Sequence, residues 1–338
     1  MKKGWINVFV LFVATFFLFY LAFSGQSLES LWQQLKTLNG FFLGFAFLLM
    51  VLYWLLEAGV LHSITVFLHG GQKFLGSLKT TMVGQFFNSV TPFATGGQPA
   101  QLVNMIQAGV PASGASSILT VKFLIYQSVL TIYSIFIMLL KASFFRLEIP
   151  RFFFLAEIGF IVNSFVIALT LLFAYRRNFT KRLLTLVYNL LAKLKIIKNP
   201  EKSKQALETG LEKFHSYTKL IFSNKTVLFK TTLFTMLQLT AFFLIPYFIY
   251  RAFGFNTANW LDILAADAFV TMVTSFVPLP GGSGGAEGGF YLFFRLFFTP
   301  ASIGSALLVW RVWTFYSCLF FGGLTVLFAK RPVKISTT

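Results

Sequence analysis

Residues 275–287 read SFVPLPGGSGGAE, and residues 89–101 read SVTPFATGGQPAQ. Aligned without a gap, the two passages share a serine, a proline, a glycine and an alanine, and they end in Glu287 and Gln101. Each interrupts apolar sequence long enough to cross a bilayer. Backbone that leaves a helix at membrane depth persists only where protein or a water-filled cavity satisfies its polar groups. A matched pair of such breaks in two halves of a chain is typical of a transporter's binding site.

The composition around these passages is that of a membrane protein. Of 338 residues, 57% are hydrophobic, 11% are charged and 46 are Phe, whereas a soluble domain carries about 25% charged residues. The first apolar run is longer than the core of a signal peptide, so we interpret it as an uncleaved span. The chain, residues 1–338, is predicted to be a single all-α polytopic membrane domain. Six full crossings are predicted from apolar runs of about 20 residues, at 5–23, 41–67, 115–140, 152–175, 229–252 and 301–329.

Positive charge is concentrated between Arg176 and Lys230, where 13 Lys and Arg face 3 Glu. Leucines recur at helical spacing in the first part of residues 176–228, which predicts an amphipathic helix on the membrane surface. Asn199-Pro200 ends it, and a second helix is expected at about 201–222. Contact with anionic lipid explains this basic segment better than nucleic-acid binding does. A solvated linker and a regulatory role are both open for it.

The placement of Lys and Arg also predicts orientation, because basic loops lie on the cytoplasmic side. Both termini and the 176–228 segment are then cytoplasmic. Residues 80–110 must therefore enter and leave the membrane on the cytoplasmic side, and residues 253–300 on the opposite side. Both segments are predicted to be re-entrant hairpins. The two units, 41–140 and 229–329, form an inverted-topology repeat.

Ionisable residues inside spans are costly and are candidates for function by default. Lys122 follows the first broken passage by 21 residues, and Arg311 follows the second by 24. One interpretation places both cations in a common cavity that binds an anionic head group. The alternative is that they neutralise carboxylates in structural ion pairs. The other candidates, for coupling or ion pairing, are Glu57, Asp267, Glu287 and Arg295.

The tips of the broken passages offer two further kinds of group. Their glycines permit positive φ, so they either present N–H groups to an anion or only allow tight turns. Polar side chains beside them would bind the head group, while Glu287 would be a proton or cation site or a helix cap. The candidate tip residues are Asn88, Ser89, Gly96, Gly97, Gln98, Gln101, Gly281, Gly282 and Ser283.

Several kinds of chemistry are disfavoured. The chain has one cysteine, Cys318, and three histidines without neighbouring ligands, so no metal site is predicted. The glycine run lacks the Lys and Ser/Thr of a P-loop, and no cofactor or catalytic constellation emerges.

At the second passage the sequence resembles a known family. Pro278-Leu279-Pro280-Gly281-Gly282-Ser283-Gly284-Gly285-Ala286-Glu287 is similar to a signature segment, Pro-x-Pro-Gly-Gly-x-Gly-x-x-Glu, of the lysylphosphatidylglycerol synthase/flippase transmembrane family. The first passage resembles that family's other segment more loosely. Ala286 and the stretch Thr95–Pro99 replace charged residues of the family pattern, so substrate preference does not transfer directly.

The resemblance implies a multi-pass protein of a bacterial cell membrane that works as a lipid flippase or scramblase. Its cargo would be an anionic, aminoacylated or glycosylated lipid, and its partners would be membrane lipids. The alternative is a membrane-embedded transferase with Glu287 as its catalytic carboxylate, although no soluble transferase domain is expected here. A third interpretation is a scaffold for a lipid-synthesising enzyme. The aromatic-rich spans would suit a homodimer or lipid equally.

Overall fold

The computed structural model describes residues 28–148, 152–193, 200–274, 277 and 279–328. Within these ranges the chain is helical and contains no strand. The helices in chain order are α1 (Leu28–Thr37), α2 (Gly40–His69), α3 (Phe74–Val90), α4 (Gly97–Gln107), α5 (Ala112–Glu148), α6 (Phe152–Tyr175), α7 (Arg177–Lys193), α8 (Pro200–Ser223), α9 (Lys225–Ala252), α10 (Trp260–Thr274), α11 (Gly285–Phe294), α12 (Ile303–Arg311) and α13 (Ser317–Phe328).

Among the described residues, five helical segments are long and apolar enough to cross a membrane. They are α2, α5, α6 from Glu157 onward, α9, and the combined α12 and α13, which a π-helical turn at Val312–Tyr316 connects. Large apolar side chains such as Ile132 and Phe165 are exposed on these helices, as a lipid-facing surface requires. The predicted all-α polytopic fold is therefore confirmed with five of its spans, and the predicted span at 5–23 lies outside the described residues.

The basic segment after α6 contains two helices, α7 and α8, as the break at Pro200 predicts. Helix α8 packs against α5, where the Ser117 hydroxyl donates to the Phe214 carbonyl at 2.9 Å and Ile221 is fully buried. Lys181 of α7 pairs with Glu208 of α8 at 3.0 Å. The segment is thus attached to the bundle through α8, and a position of α7 on the membrane surface stays a prediction.

Each broken passage forms a helical hairpin. In the first hairpin, α3 and α4 are joined by a 3-10 turn at Pro92–Ala94; in the second, α10 and α11 are joined by a 3-10 turn at Pro280–Gly282. The two turns pack directly against each other. They also share one shape, because Phe93 has φ 53° and ψ 19°, and Gly281 has φ 62° and ψ 18°. The similarity between the two sequence passages therefore corresponds to a similarity in backbone conformation.

The equivalent positions differ from those of the ungapped sequence alignment. By conformation, Pro92 corresponds to Pro280, 188 residues later, and the helix start at Gly97 corresponds to Gly285, again 188 residues later. The alignment instead pairs Pro92 with Pro278, so it is offset by two residues. The reason is that the first turn places Phe93 at positive φ, where glycine is the usual residue. Matching glycines to glycines therefore gives the wrong register.

Each hairpin packs against helices of both halves of the chain. Helix α3 packs on α2 of its own half and on α13 of the other, while α10 packs on α9 of its own half and on α5 of the other. Gly322 permits the α3–α13 approach, since a Cβ there would lie 2.8 Å from the Met82 carbonyl oxygen. This packing pattern agrees with an inverted repeat. The inverted repeat and the re-entrant course of the hairpins both stay predictions.

Replacing Gly281 by alanine tests the second turn. The residue has φ +62°, and a Cβ would overlap the ring of Phe315. We expect the Gly281→Ala protein to lose about 2–4 kcal/mol of unfolding free energy, from left-handed strain and overpacking together. Thermal unfolding in detergent measures this effect. The control is Gly288→Ala, where an added Cβ would meet open space and the helix should gain about 0.5–1 kcal/mol. Equal shifts in both variants would contradict the argument.

Candidate functional site

The first ion pair joins α5 to the middle of α2 and lies beside the first hairpin. Lys122 Nζ on α5 lies 2.6 Å from Glu57 Oε1 on α2. The other oxygen of Glu57 accepts a 2.5 Å hydrogen bond from the Gln85 side chain of α3. Lys122 Nζ also lies 3.5 Å from Gln101 Oε1 of α4. Both helices of the first hairpin are thereby connected to one carboxylate–ammonium pair.

The second ion pair joins α11 of the second hairpin to α12 of the last span and is more deeply buried than the first. Arg311 donates from Nε to Glu287 Oε1 at 2.7 Å, and its Nη1 donates to the Gly281 carbonyl at 3.2 Å. Glu287 Oε2 accepts from the Gly284 N–H at 2.5 Å, which caps the start of α11. The guanidinium also lies 5.1 Å from the ring centre of Trp310. Arg311 thus holds the turn, the cap and the last span together.

The sequence left two roles open for these cations, a cavity cation or a partner in an ion pair. The structure pairs both of them with carboxylates, Lys122 with Glu57 and Arg311 with Glu287. Yet both also line cavities, so the two roles are not exclusive. The pairing removes the net positive charge that each cation would bring to its cavity, because each ion pair is electrically neutral.

Two adjacent cavities lie beside the meeting point of the hairpin turns. The lysine cavity, of about 290 Å³, is lined by Glu57 and Lys122, and the arginine cavity, of about 200 Å³, is lined by Arg311 and Gly281. They share five wall residues, so we treat them as one central site with two compartments. The shared residues are Tyr53, Gln85, Asn88, Ala94 and Tyr126.

Neutral amides and aromatic rings dominate the lysine cavity. Phe93 and Phe123 contribute apolar walls. Gln238 of α9 is 2% exposed, and its Nε2 has no hydrogen-bond partner among the described residues. A buried amide donor without a partner is costly unless something binds it. The amides that line this cavity are Gln85, Asn88, Gln98, Gln101 and Gln238.

The predicted tip residues divide into two groups. Gln98 and Gln101 line the lysine cavity, Ser89 and Gly281 line the arginine cavity, and Asn88 lines both. Several others serve the turns themselves, because the N–H groups of Gly96 and Gly97 donate to Thr91 and Asn88, at 2.8 and 3.0 Å. In the second turn the amides of Gly282 and Ser283 donate to the carbonyls of Leu279 and Pro280. These four amides are therefore used within the turns, which favours the tight-turn interpretation over anion binding.

The remaining charged candidates lie apart from the ion pairs. Arg295 is exposed at the end of α11 and lines a separate surface cavity with Tyr291 and Pro300. Asp267 is completely buried in α10. Within the described ranges, no group of three or more His, Cys, Asp or Glu side chains is arranged to hold a metal ion.

Sequence reasoning missed several wall residues. Gln238 is an uncharged polar residue inside the predicted span 229–252, and Gln85 is one inside the predicted hairpin 80–110, so the position of each in a membrane segment was a usable indication. Tyr53 and Tyr126 carried no such indication, because aromatic residues are abundant throughout the chain. Phe93 is recognisable only from its positive φ, which the sequence does not reveal.

Comparison with known proteins gives two findings. The family described as "Lysylphosphatidylglycerol synthase TM region" matches residues 5–322. A curated protein of Archaeoglobus fulgidus, described as a UPF0104 membrane protein, is 27% identical over 311 residues, which are 88% of this chain and 89% of that protein. The match therefore includes both hairpins, both ion pairs and the cavities between them.

Proposed function

Because the chain belongs to the family of the lysylphosphatidylglycerol synthase transmembrane region, we propose that it moves a lipid between the two leaflets of a membrane. In this proposal the head group enters the central site while the acyl chains stay in the bilayer. The family itself is a membrane-protein family and does not specify the cargo or distinguish translocation from transfer chemistry.

One observation carries the proposal. A polar, amide-lined site lies beside two helical hairpins whose turns contact each other, in a chain of largely apolar helices. A buried polar site of this kind inside a membrane protein is costly and indicates a pathway for a polar group. The predicted entry of the hairpins from opposite faces would give such a site alternating access from the two sides of the membrane. Labelling of Lys73→Cys and Ala301→Cys from the two sides of the membrane tests that topology.

The lining of the site indicates a head group rich in hydrogen-bonding atoms. Both cations are already paired, so the site has no net charge with which to attract an ion over a distance. An ammonium has three donors, and among the described residues Lys122 uses two of them on Glu57 and Gln101. The third N–H of Lys122 can donate a hydrogen bond to a phosphate or hydroxyl oxygen of the head group. Among anionic, aminoacylated and glycosylated lipids, this lining favours a glycosylated one, because five amides match many hydroxyl groups.

The test is lipid movement in liposomes. Purified protein would be reconstituted with trace head-group-labelled phosphatidylglycerol, its lysyl form or a glycolipid, and a membrane-impermeant quencher would report the leaflet of each label. The quencher at first reaches only the labelled lipid in the outer leaflet. We expect labelled lipid from the inner leaflet to become quenched faster than in protein-free liposomes. Unchanged rates for all three lipids would contradict the proposal. New lipid products in mass spectrometry would instead favour the transferase.

Replacing Gln238 by leucine gives a more specific prediction. Leucine removes the buried amide donor, so the Gln238→Leu protein should gain about 1–3 kcal/mol of unfolding free energy. If the amide binds the head group, lipid movement should fall by about 2–10-fold, the equivalent of one hydrogen bond. Thermal unfolding and the liposome assay measure the two effects.

The matched control is Gln107→Leu, at an exposed position on α4 outside both cavities. We expect this variant to change neither stability nor lipid movement. A Gln238→Leu protein that is more stable and equally active would remove Gln238 from the binding site.

A further inference from the structure

Asp267 differs from the other membrane-buried carboxylates that the structure describes. It is 0% exposed in the middle of α10, and neither of its oxygens has a hydrogen-bond partner within the described ranges. By contrast, Glu57 pairs with Lys122, Glu287 with Arg311, and Asp262 with Lys141 at 2.8 Å. Asp267 is therefore a buried carboxyl group that has neither a hydrogen bond nor an ion pair among the described residues.

Helix α10 packs against α5, α6, α9 and α11. The charged or titratable groups on those helices are engaged elsewhere, exposed or in the cavity walls. Tyr133 contacts Thr240, Tyr250 contacts Thr257, Arg251 donates to Tyr247, and Tyr126 lines the central site. Lys122, Lys141 and Glu287 are in ion pairs with Glu57, Asp262 and Arg311. The exposed groups are Arg146, Glu148, Glu157, Tyr175, Lys225 and Lys230. Tyr291 of α11 does not donate to either oxygen of Asp267. Nothing on the four packed helices thus supplies a counter-charge to this carboxyl group.

An ionised carboxylate in such surroundings is strongly disfavoured. Removal of an unpaired charge from water costs many kcal/mol, and a buried acid becomes neutral instead. In the conformation described here, Asp267 is consequently a carboxylic acid that holds its proton.

The position of Asp267 connects this proton to the central site. Asp267, Val270, Thr271 and Thr274 follow the spacing i, i+3, i+4 and i+7, so they share one face of α10. The last three line the arginine cavity. Asp267 thus lies one helical turn from the wall of the arginine cavity, on the face that water would reach first if that cavity opened.

We propose that Asp267 is a proton-binding site coupled to lipid movement. The acid is neutral while its helix face is dry; when the cavity opens, its O–H bond breaks, the proton passes to water and the carboxylate is hydrated. Reclosure requires the carboxylate to take up a proton again, from either side of the membrane. This inference rests on the proposed lipid movement only for the coupling, since the proton site itself is a property of the buried acid.

Infrared spectroscopy tests the proton site without reference to transport. Wild-type protein in liposomes should show the carbonyl band of a protonated carboxylic acid at neutral pH, and Asp267→Asn should lose that band. Asp262→Asn, which removes the ion-paired carboxylate five residues earlier, should retain it. Absence of the band from the wild-type protein, or its persistence in Asp267→Asn, would overturn the proposal.

Leaflet distribution under a pH difference tests the coupling. With one proton per lipid, a difference of two pH units should drive a trace labelled lipid toward a leaflet ratio of up to about 100-fold in the wild type and in Asp262→Asn. Asp267→Asn should still equilibrate the lipid but ignore the pH difference. An equal response in Asp267→Asn would overturn the coupling. Loss of all lipid movement, in the wild type as well, would contradict the proposed function, and the infrared result would then decide the proton site by itself.

Discussion

Replacement of Arg311 by alanine is expected to destabilise the protein by about 3–5 kcal/mol, the usual result of leaving one member of a buried ion pair alone. Glu287 is 1% exposed and would retain only the Gly284 N–H as a partner. The Gly281 carbonyl in the turn would also lose its donor. Thermal or denaturant unfolding in detergent measures the loss.

Two comparisons identify the cause. Arg295→Ala removes an exposed arginine from the same half and should change stability by less than about 0.5 kcal/mol. The double variant Arg311→Met with Glu287→Gln removes both charges, while the glutamine can still accept the capping N–H, so most of the stability should return. A double variant as unstable as Arg311→Ala would show that the guanidinium stabilises the turn by something other than charge pairing.

Replacement of Lys122 by alanine is expected to have the second largest effect, about 3 kcal/mol. The loss should be at the lower end of the range for buried pairs, because Glu57 keeps its hydrogen bond from Gln85. The pair is also slightly more exposed than that of Arg311. Unfolding of the Lys122→Ala protein measures this loss.

The double variant Lys122→Met with Glu57→Gln separates structure from binding. It should recover most of the lost stability, since no unpaired charge remains. If Lys122 also contacts the head group, lipid movement should stay at least about tenfold below wild type, as expected for the loss of a charge-assisted hydrogen bond. Full recovery of lipid movement would make Lys122 a structural residue only.

Much of the fold is predictable because the membrane imposes simple rules. Spans require apolar length, and breaks require residues such as proline and glycine, so five spans and both hairpins are visible in the sequence. The bounds of α6, of α9 and of the combined segment of α12 and α13 lie within a few residues of the predicted ones. Helix α5 is longer than predicted, since it continues to Glu148 through a stretch with charged residues that no longer resembles a span.

The interactions of the site are less predictable because they join distant parts of the chain. Lys122 and Glu57 are 65 residues apart, and several carboxylates were equally eligible as partners. Gln238 lies on a helix that the sequence gives no reason to place beside Lys122. The offset between the two turns also escapes prediction, because Phe93 adopts a backbone conformation in which bulky residues are uncommon.

The pairing of both cations has an electrical consequence. A lone lysine that crossed the field of a 100 mV membrane potential would involve about 2.3 kcal/mol of work. Lys122 and Arg311 each have a carboxylate within 3 Å, so a motion that carries a cation together with its counter-ion performs almost no such work. Voltage should therefore leave the motions of these two pairs unaffected. Any voltage dependence of lipid movement would report charge on the cargo or the proton at Asp267.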